Sequence, residues 1–223
     1  MAEVAGLENV RTVASQFGIE SDLAQGPALA LGASESTLIE MTGAYAGILN
    51  GGSSVEPYGL TELKLLGDNE PVMVTTTGIG ERVIREDAAG QLIWMMERAV
   101  SEGTGHRASL PGWQVAGKTG TTQAARDAWF IGFTADYVAG VWMGYDDNTP
   151  LSGVTGGGLP AEIWKETMLR VTDGVTPTPL PMMAPQQPVK TVENKRKKKK
   201  KRNSGGGFGQ AVDNLLRDIF GGN

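Results

Sequence analysis

Residues 115–122 read Val-Ala-Gly-Lys-Thr-Gly-Thr-Thr, and they hold the side chains best placed to do chemistry in this chain. Lys118 puts a positive charge beside a candidate site and is the candidate catalytic residue. Thr119 and Thr121 offer hydroxyls that can donate to a substrate carboxylate. Gly120 carries no side chain, so a substrate backbone can come close there, and Thr122 completes the candidate substrate-binding set. The apolar run before Lys118 predicts a strand. An edge strand can take an extended peptide as an added strand, and backbone N–H groups at its end can stabilise an oxyanion. The nucleophile such a site needs is not beside it. No serine in the chain begins Ser-x-x-Lys or Ser-x-Asn.

The elements around this strand follow from periodicity and from breaks in it. Apolar positions Val4, Leu7, Val10, Val13, Ala14 and Phe17 have helical spacing and predict a helix over 1–17. It begins without a cap, as a helix entered partway through a domain would. Thr37 and Glu40 form a capping box that opens a helix to Leu49, and Asn50-Gly51-Gly52 ends it. Leu60–Leu66 and Val72–Thr77 read as short strands. Ala89, Leu92, Ile93, Met96 and Val100 line one face of a helix over 87–101. Trp113–Thr121, Asp127–Thr134 and Tyr137–Tyr145 read as three strands, the last two joined by a two-residue turn at Ala135-Asp136. A Gly-rich loop over 152–158 follows, and Pro160 opens a helix to about Arg170.

Beyond Thr172 the composition changes. Residues 173–207 read as a linker. It has five prolines between 177 and 188 and an eight-residue basic run at 195–202. Residues 208–223 close the chain, with an apolar stripe from Phe208 to Phe220 that predicts a short amphipathic helix. The formal net charge is -5; without the basic run, 12 basic residues face 25 acidic ones. The run reads as a solvated, self-repelling linker, and nucleic acid is not favoured as a partner. A polar face with Asp213, Asp218 and one Arg217 favours a protein partner over a membrane surface for the final helix.

Other classes are disfavoured by what is missing. The chain has no cysteine and one histidine, His106, in a Gly-rich loop. That disfavours a disulfide framework, a thiolate or histidine metal site and a Ser-His-Asp triad, and leaves no metal or cofactor to expect. No segment reaches the roughly 18 apolar residues of a membrane span, and the first residues do not form a signal peptide.

The order of motifs carries more than any one of them. Leu29-Ala-Leu-Gly32, Thr37-Leu-Ile-Glu40, Ala44-Tyr45-Ala46, Asn50-Gly-Gly52, Gly103-Thr-Gly105, Ala116-Gly-Lys-Thr-Gly-Thr-Thr122, Asp127-Ala-Trp-Phe130, Val141-Trp-Met-Gly144 and Thr155-Gly-Gly157 follow in sequence. Together they resemble the C-terminal part of the transpeptidase domain of class A, or bifunctional, penicillin-binding proteins, over about residues 1–171. The resemblance implies an α+β fold, an antiparallel sheet flanked by helices, N-terminally incomplete over domain residues 1–172. It implies a D,D-transpeptidase that cross-links peptidoglycan stem peptides and is acylated by β-lactams, at the periplasmic face of the bacterial inner membrane. Lys118 would be the lysine of the family's Lys-Thr-Gly triplet, Thr119 and Thr121 would bind the substrate carboxylate, the Thr121 N–H would be half of the oxyanion hole, and the protein partner of the final helix would lie in the cell envelope. The serine motifs, the glycosyltransferase domain and the membrane anchor would lie upstream of Met1, so this chain would be inactive alone. A β-lactamase-like serine hydrolase shares the triplet, and a non-catalytic interaction module is the third reading.

Overall fold

A computed structural model describes residues 2–75 and 78–185. The elements run α1 (Ala2–Ala5), α2 (Leu7–Gln16), a 3-10 turn (Pro27–Leu31), α3 (Leu38–Leu49), β1 (Ser53–Val55), β2 (Glu62–Leu63), β3 (Met73–Val74), β4 (Ile79–Arg82), α4 (Glu86–Ser101), β5 (Ala116–Thr121), β6 (Asp127–Phe133), β7 (Val138–Gly144) and α5 (Leu159–Val171). The expected α+β architecture is present. Three antiparallel strands in the order β5-β6-β7 form the main sheet. The basic run and the amphipathic stripe lie outside the described residues.

The sheet is covered on both faces. Along β6 the side chains alternate, so Phe130 faces one layer and Ile131 and Phe133 the other. On the first face, Phe130 meets Trp164 of α5 edge to face, ring centroids 5.4 Å apart. The Trp164 indole N–H donates to Gly132 O at 3.2 Å and to Ala139 O at 3.0 Å, so the largest fully buried side chain is also hydrogen-bonded. Val100, Leu110, Val115 and Met168 close this layer. On the second face, Ile93, Ala116 and Phe133 pack with Tyr45, Ile48 and Leu49 of α3. α4 contributes to both layers, Ile93 to one and Val100 to the other.

Several elements depart from the sequence reading. The first helix breaks into α1 and α2 because Gly6 has a φ of 84°, a left-handed conformation that interrupts a helix. The strands expected over 60–66 and 72–77 shrink to two paired residues each, Glu62↔Val74 and Leu63↔Met73. A second short ribbon, β1 with β4, lies at their base. Its strands are three and four residues long and β4 is exposed throughout, so neither shows the alternation that marks a strand in sequence. The strand expected from Trp113 starts three residues later, at Ala116.

The segment read as the start of a linker lies against the body. Leu180 is buried, its N–H donates to Gln114 Oε1 at 2.8 Å, and the Met183 N–H donates to Gly90 O at 2.9 Å. Proline spacing marked this stretch as extended, and extended backbone is equally suited to filling a groove beside α4. One polar node ties the N-terminal region to α3. Thr37 and Glu40 form the anticipated capping box, and Glu40 accepts further bonds from the Glu20 and Ser21 N–H groups at 2.9 and 3.0 Å and from Ser21 Oγ at 2.7 Å.

Candidate active site

β5 is an edge strand of the main sheet, and it presents Lys118, Thr119, Gly120 and Thr121 in consecutive register positions. Strand alternation divides them. Thr119 and Thr121 stand opposite Phe130 and Ala128, on the face that α5 covers; Lys118 and Gly120 stand opposite Ile131 and Trp129 on the other. The Thr122 N–H bonds to Asp127 O at 3.0 Å. In an antiparallel pair the bonded positions alternate, so the backbone groups of Thr121 and Thr119 turn to the free edge. Lys118 fits this pattern, since its Nζ donates to Thr119 O at 2.9 Å instead of reaching a carboxylate. The edge therefore offers an outward N–H at Thr121, a cation at Lys118 and two hydroxyls.

Those hydroxyls are held by two loops. Thr119 Oγ1 lies 2.9 Å from Thr104 Oγ1, in the loop that follows α4. Thr121 Oγ1 accepts the Gly156 N–H at 3.0 Å. With a lone pair so occupied, the Thr121 hydroxyl proton is free to turn toward a bound acceptor. The glycine loop can only sit there without side chains. A Cβ on Gly156 would lie 2.2 Å from Trp129 O and 2.4 Å from Gly120 O, and one on Gly157 would lie 2.2 Å from Thr104 O. The loop is also tied by the Leu151 N–H to Ala125 O at 2.8 Å. That oxygen belongs to a tight turn in which Ala124 and Ala125 take left-handed φ values of 61° and 51°.

Two predicted residues sit differently from their neighbours. Thr122 closes the β5–β6 turn, its Oγ1 accepting the Asp127 N–H at 2.8 Å and contacting Asp127 Oδ2 at 3.3 Å. A Cβ on Gly120 would meet Trp129 Cβ at 3.2 Å, so this glycine admits the cross-strand indole as well as leaving the edge open. Thr104, Gly156 and Gly157 belong to loops and ordered motifs legible in the sequence, which gives them no role at β5; their approach to it spans 15 residues for Thr104–Thr119 and 35 for Thr121–Gly156, a separation local patterns do not encode. His106 is exposed and lines an open cleft of ≈ 720 Å³ beside α5, which contains none of residues 118–122. Among the described residues no group of three or more His, Cys, Asp or Glu could hold a metal ion, and no helix is long and apolar enough to cross a membrane.

Comparison with known proteins places the fold in a family. Penicillin-binding protein 1A of Aquifex aeolicus (strain VF5) is 34% identical over 173 residues, which cover 77% of this chain and 23% of that protein. Penicillin-binding protein 1B of Escherichia coli (strain K12) is 32% identical over 186 residues, 81% of this chain and 21% of that protein. The chain thus spans less than a quarter of the length of these curated relatives. The crystal structure of penicillin-binding protein 1A from Haemophilus influenzae superposes with a TM-score of 0.69 at 26% identity, over 80% of this chain and 33% of that one. PonA1 from Mycobacterium tuberculosis in complex with penicillin V gives 0.59 at 27% identity, over 78% and 54%. These matches favour the transpeptidase reading over the hydrolase and interaction-module alternatives. The family model described as the penicillin-binding protein transpeptidase domain aligns with residues 3–169, from α1 through α5, and the chain belongs to that family.

Proposed function

We propose that this chain supplies the substrate-strand half of a D,D-transpeptidase site that cross-links peptidoglycan stem peptides and takes β-lactams in the same place. One observation carries the reading. A strand edge that is unpaired among the described residues holds a cation, two anchored hydroxyls and an outward backbone N–H within four consecutive residues, Lys118 to Thr121. An extended stem peptide adds to β5 as a further strand. Its terminal carboxylate, or that of a β-lactam, accepts from the Thr119 and Thr121 hydroxyls in the field of Lys118. The Thr121 N–H then faces the carbonyl oxygen as charge develops on it.

The bond-making serine has to come from outside these 223 residues, because Ser-x-x-Lys and Ser-x-Asn do not occur in them. The acyl-enzyme would form on that serine, and an amine from a second stem peptide would release it. The membrane-anchored, periplasmic setting of the class A proteins is the compartment where such stem peptides are exposed, and we assign the complete protein to it.

The test joins this chain to a nucleophile-bearing segment of the family and follows acylation by a fluorescent penicillin. Lys118→Ala is expected to slow acylation on the order of a hundredfold, with the thermal midpoint unchanged, since Lys118 is exposed and fills no core position. An unchanged rate removes Lys118 from the site and the β5 edge from the mechanism.

A further inference from the structure

Among the described residues, the most conspicuous exposed apolar surface lies outside the β5 site. Residues 56–74 leave the body as a narrow β2–β3 ribbon, and from Glu56 to Glu70 every residue is exposed. It is not a polar arm. Leu60, Leu63, Leu65, Leu66, Met73 and Val74 are 46%, 43%, 56%, 107%, 41% and 59% exposed. Leu63 and Met73 are cross-strand partners and share one face of the ribbon. An apolar cluster of this kind on a soluble domain marks a contact site, and a two-stranded ribbon is marginal in water without one.

We propose that this ribbon is covered by residues 208–220 of the same chain, the apolar stripe at its C-terminus. Three observations select that occupant. The first is the exit of the chain. Met183 is bonded to Gly90 in the first turns of α4, and α4 begins four residues after β4, the strand at the ribbon's base. The tail therefore starts by the α4 end of the β1–β4 ribbon that carries the arm. The second is reach. The 22 residues of 186–207 separate that exit from Phe208. Twenty-two residues can span up to about 70 Å, enough to return along the ribbon.

The third observation is charge. Residues 56–74, the arm itself, carry four acidic side chains and one basic one, while residues 195–202 are all Lys or Arg. A chain returning to the ribbon lays its eight cations over the acidic arm. Size also favours a tethered occupant. A tether raises the local concentration of its occupant, so a contact smaller than the roughly 800 Å² per partner of a stable free complex is sufficient. A 13-residue helix is marginal alone, so ribbon and stripe each provide the apolar partner the other needs.

The test measures hydrogen exchange of the ribbon amides between Glu62 and Val74 in the full chain, beside the same chain carrying Leu215→Asp and Leu216→Asp. Both substitutions lie outside the described residues and leave every buried core residue unchanged. Exchange in the unaltered chain is expected to be at least about tenfold slower, independent of protein concentration, and faster in high salt as the basic run is screened. The chain has no cysteine, so Met73→Cys with Leu216→Cys is expected to give an intramolecular disulfide on mild oxidation. Equal exchange in both chains with no disulfide overturns the proposal. Protection that grows with protein concentration, or a disulfide that forms only between molecules, overturns it in favour of a second copy.

Discussion

Among single residues, Gly156 makes the sharpest demand. Its backbone must lie against Gly120 and Trp129 for its N–H to reach Thr121 Oγ1, and a methyl group there would sit 2.2 Å from a carbonyl oxygen. Gly156→Ala is expected to push the glycine loop off β5, costing about 1–3 kcal/mol in stability by overpacking. It should also slow acylation of a completed domain. Thermal unfolding with acylation kinetics checks this, and a wild-type value for both would mean that the loop does not order Thr121. Thr121→Val keeps a side chain of similar size and removes the hydroxyl, and with it the acceptor of the Gly156 N–H. Acylation should fall by about tenfold or more, and Thr121→Ser, which keeps the hydroxyl, should restore it.

At the scale of elements, the polar staple at the start of α3 carries a pH dependence. The Ser21 hydroxyl, the Thr37 N–H and the other donors around Glu40 hold its carboxyl well below the ordinary value of 4.5. A group whose acidity is strengthened by folding adds stability that is complete above its unfolded value and is lost as pH falls through the folded one. The thermal midpoint should therefore drop as pH falls from about 5 toward 2, and Glu40→Gln should flatten that part of the curve while lowering the midpoint at neutral pH. An identical pH profile in the variant would remove Glu40 as the source. This staple was half visible in the sequence. Thr37 and Glu40 have capping-box spacing, whereas the Glu20 and Ser21 donors arrive from a loop about 20 residues away.

The same division runs through the other elements. α3, α4, α5 and the β6–β7 hairpin were legible because each has a long apolar repeat and a recognisable start or stop. The β1–β4 ribbon was not, because short exposed strands have no buried face to impose alternation. At the site, Lys118 to Thr121 could be read as a local motif. Thr104 and Gly156 could not, because their role lies in contacts made across the fold.

For the whole molecule, the decisive quantity is what β5 can and cannot do without a nucleophile. Opening a β-lactam ring covalently requires an oxygen or sulfur to attack the carbonyl and keep it. The chain has no cysteine and no Ser-x-x-Lys serine, and the groups gathered at β5 are a cation, hydroxyls that act as donors and a backbone N–H. Such groups stabilise charge during an attack without supplying the attacking atom. The isolated 223-residue chain is therefore expected to give no fluorescent-penicillin band that survives denaturation, at any antibiotic concentration. Linked to a family segment that carries the missing serine, it should give one, and Lys118→Ala should weaken it. The measurement is a denaturing gel read for fluorescence beside a total-protein stain. A stable band on the unlinked chain would place a reactive nucleophile among residues 1–223 and replace the half-site reading with a complete one.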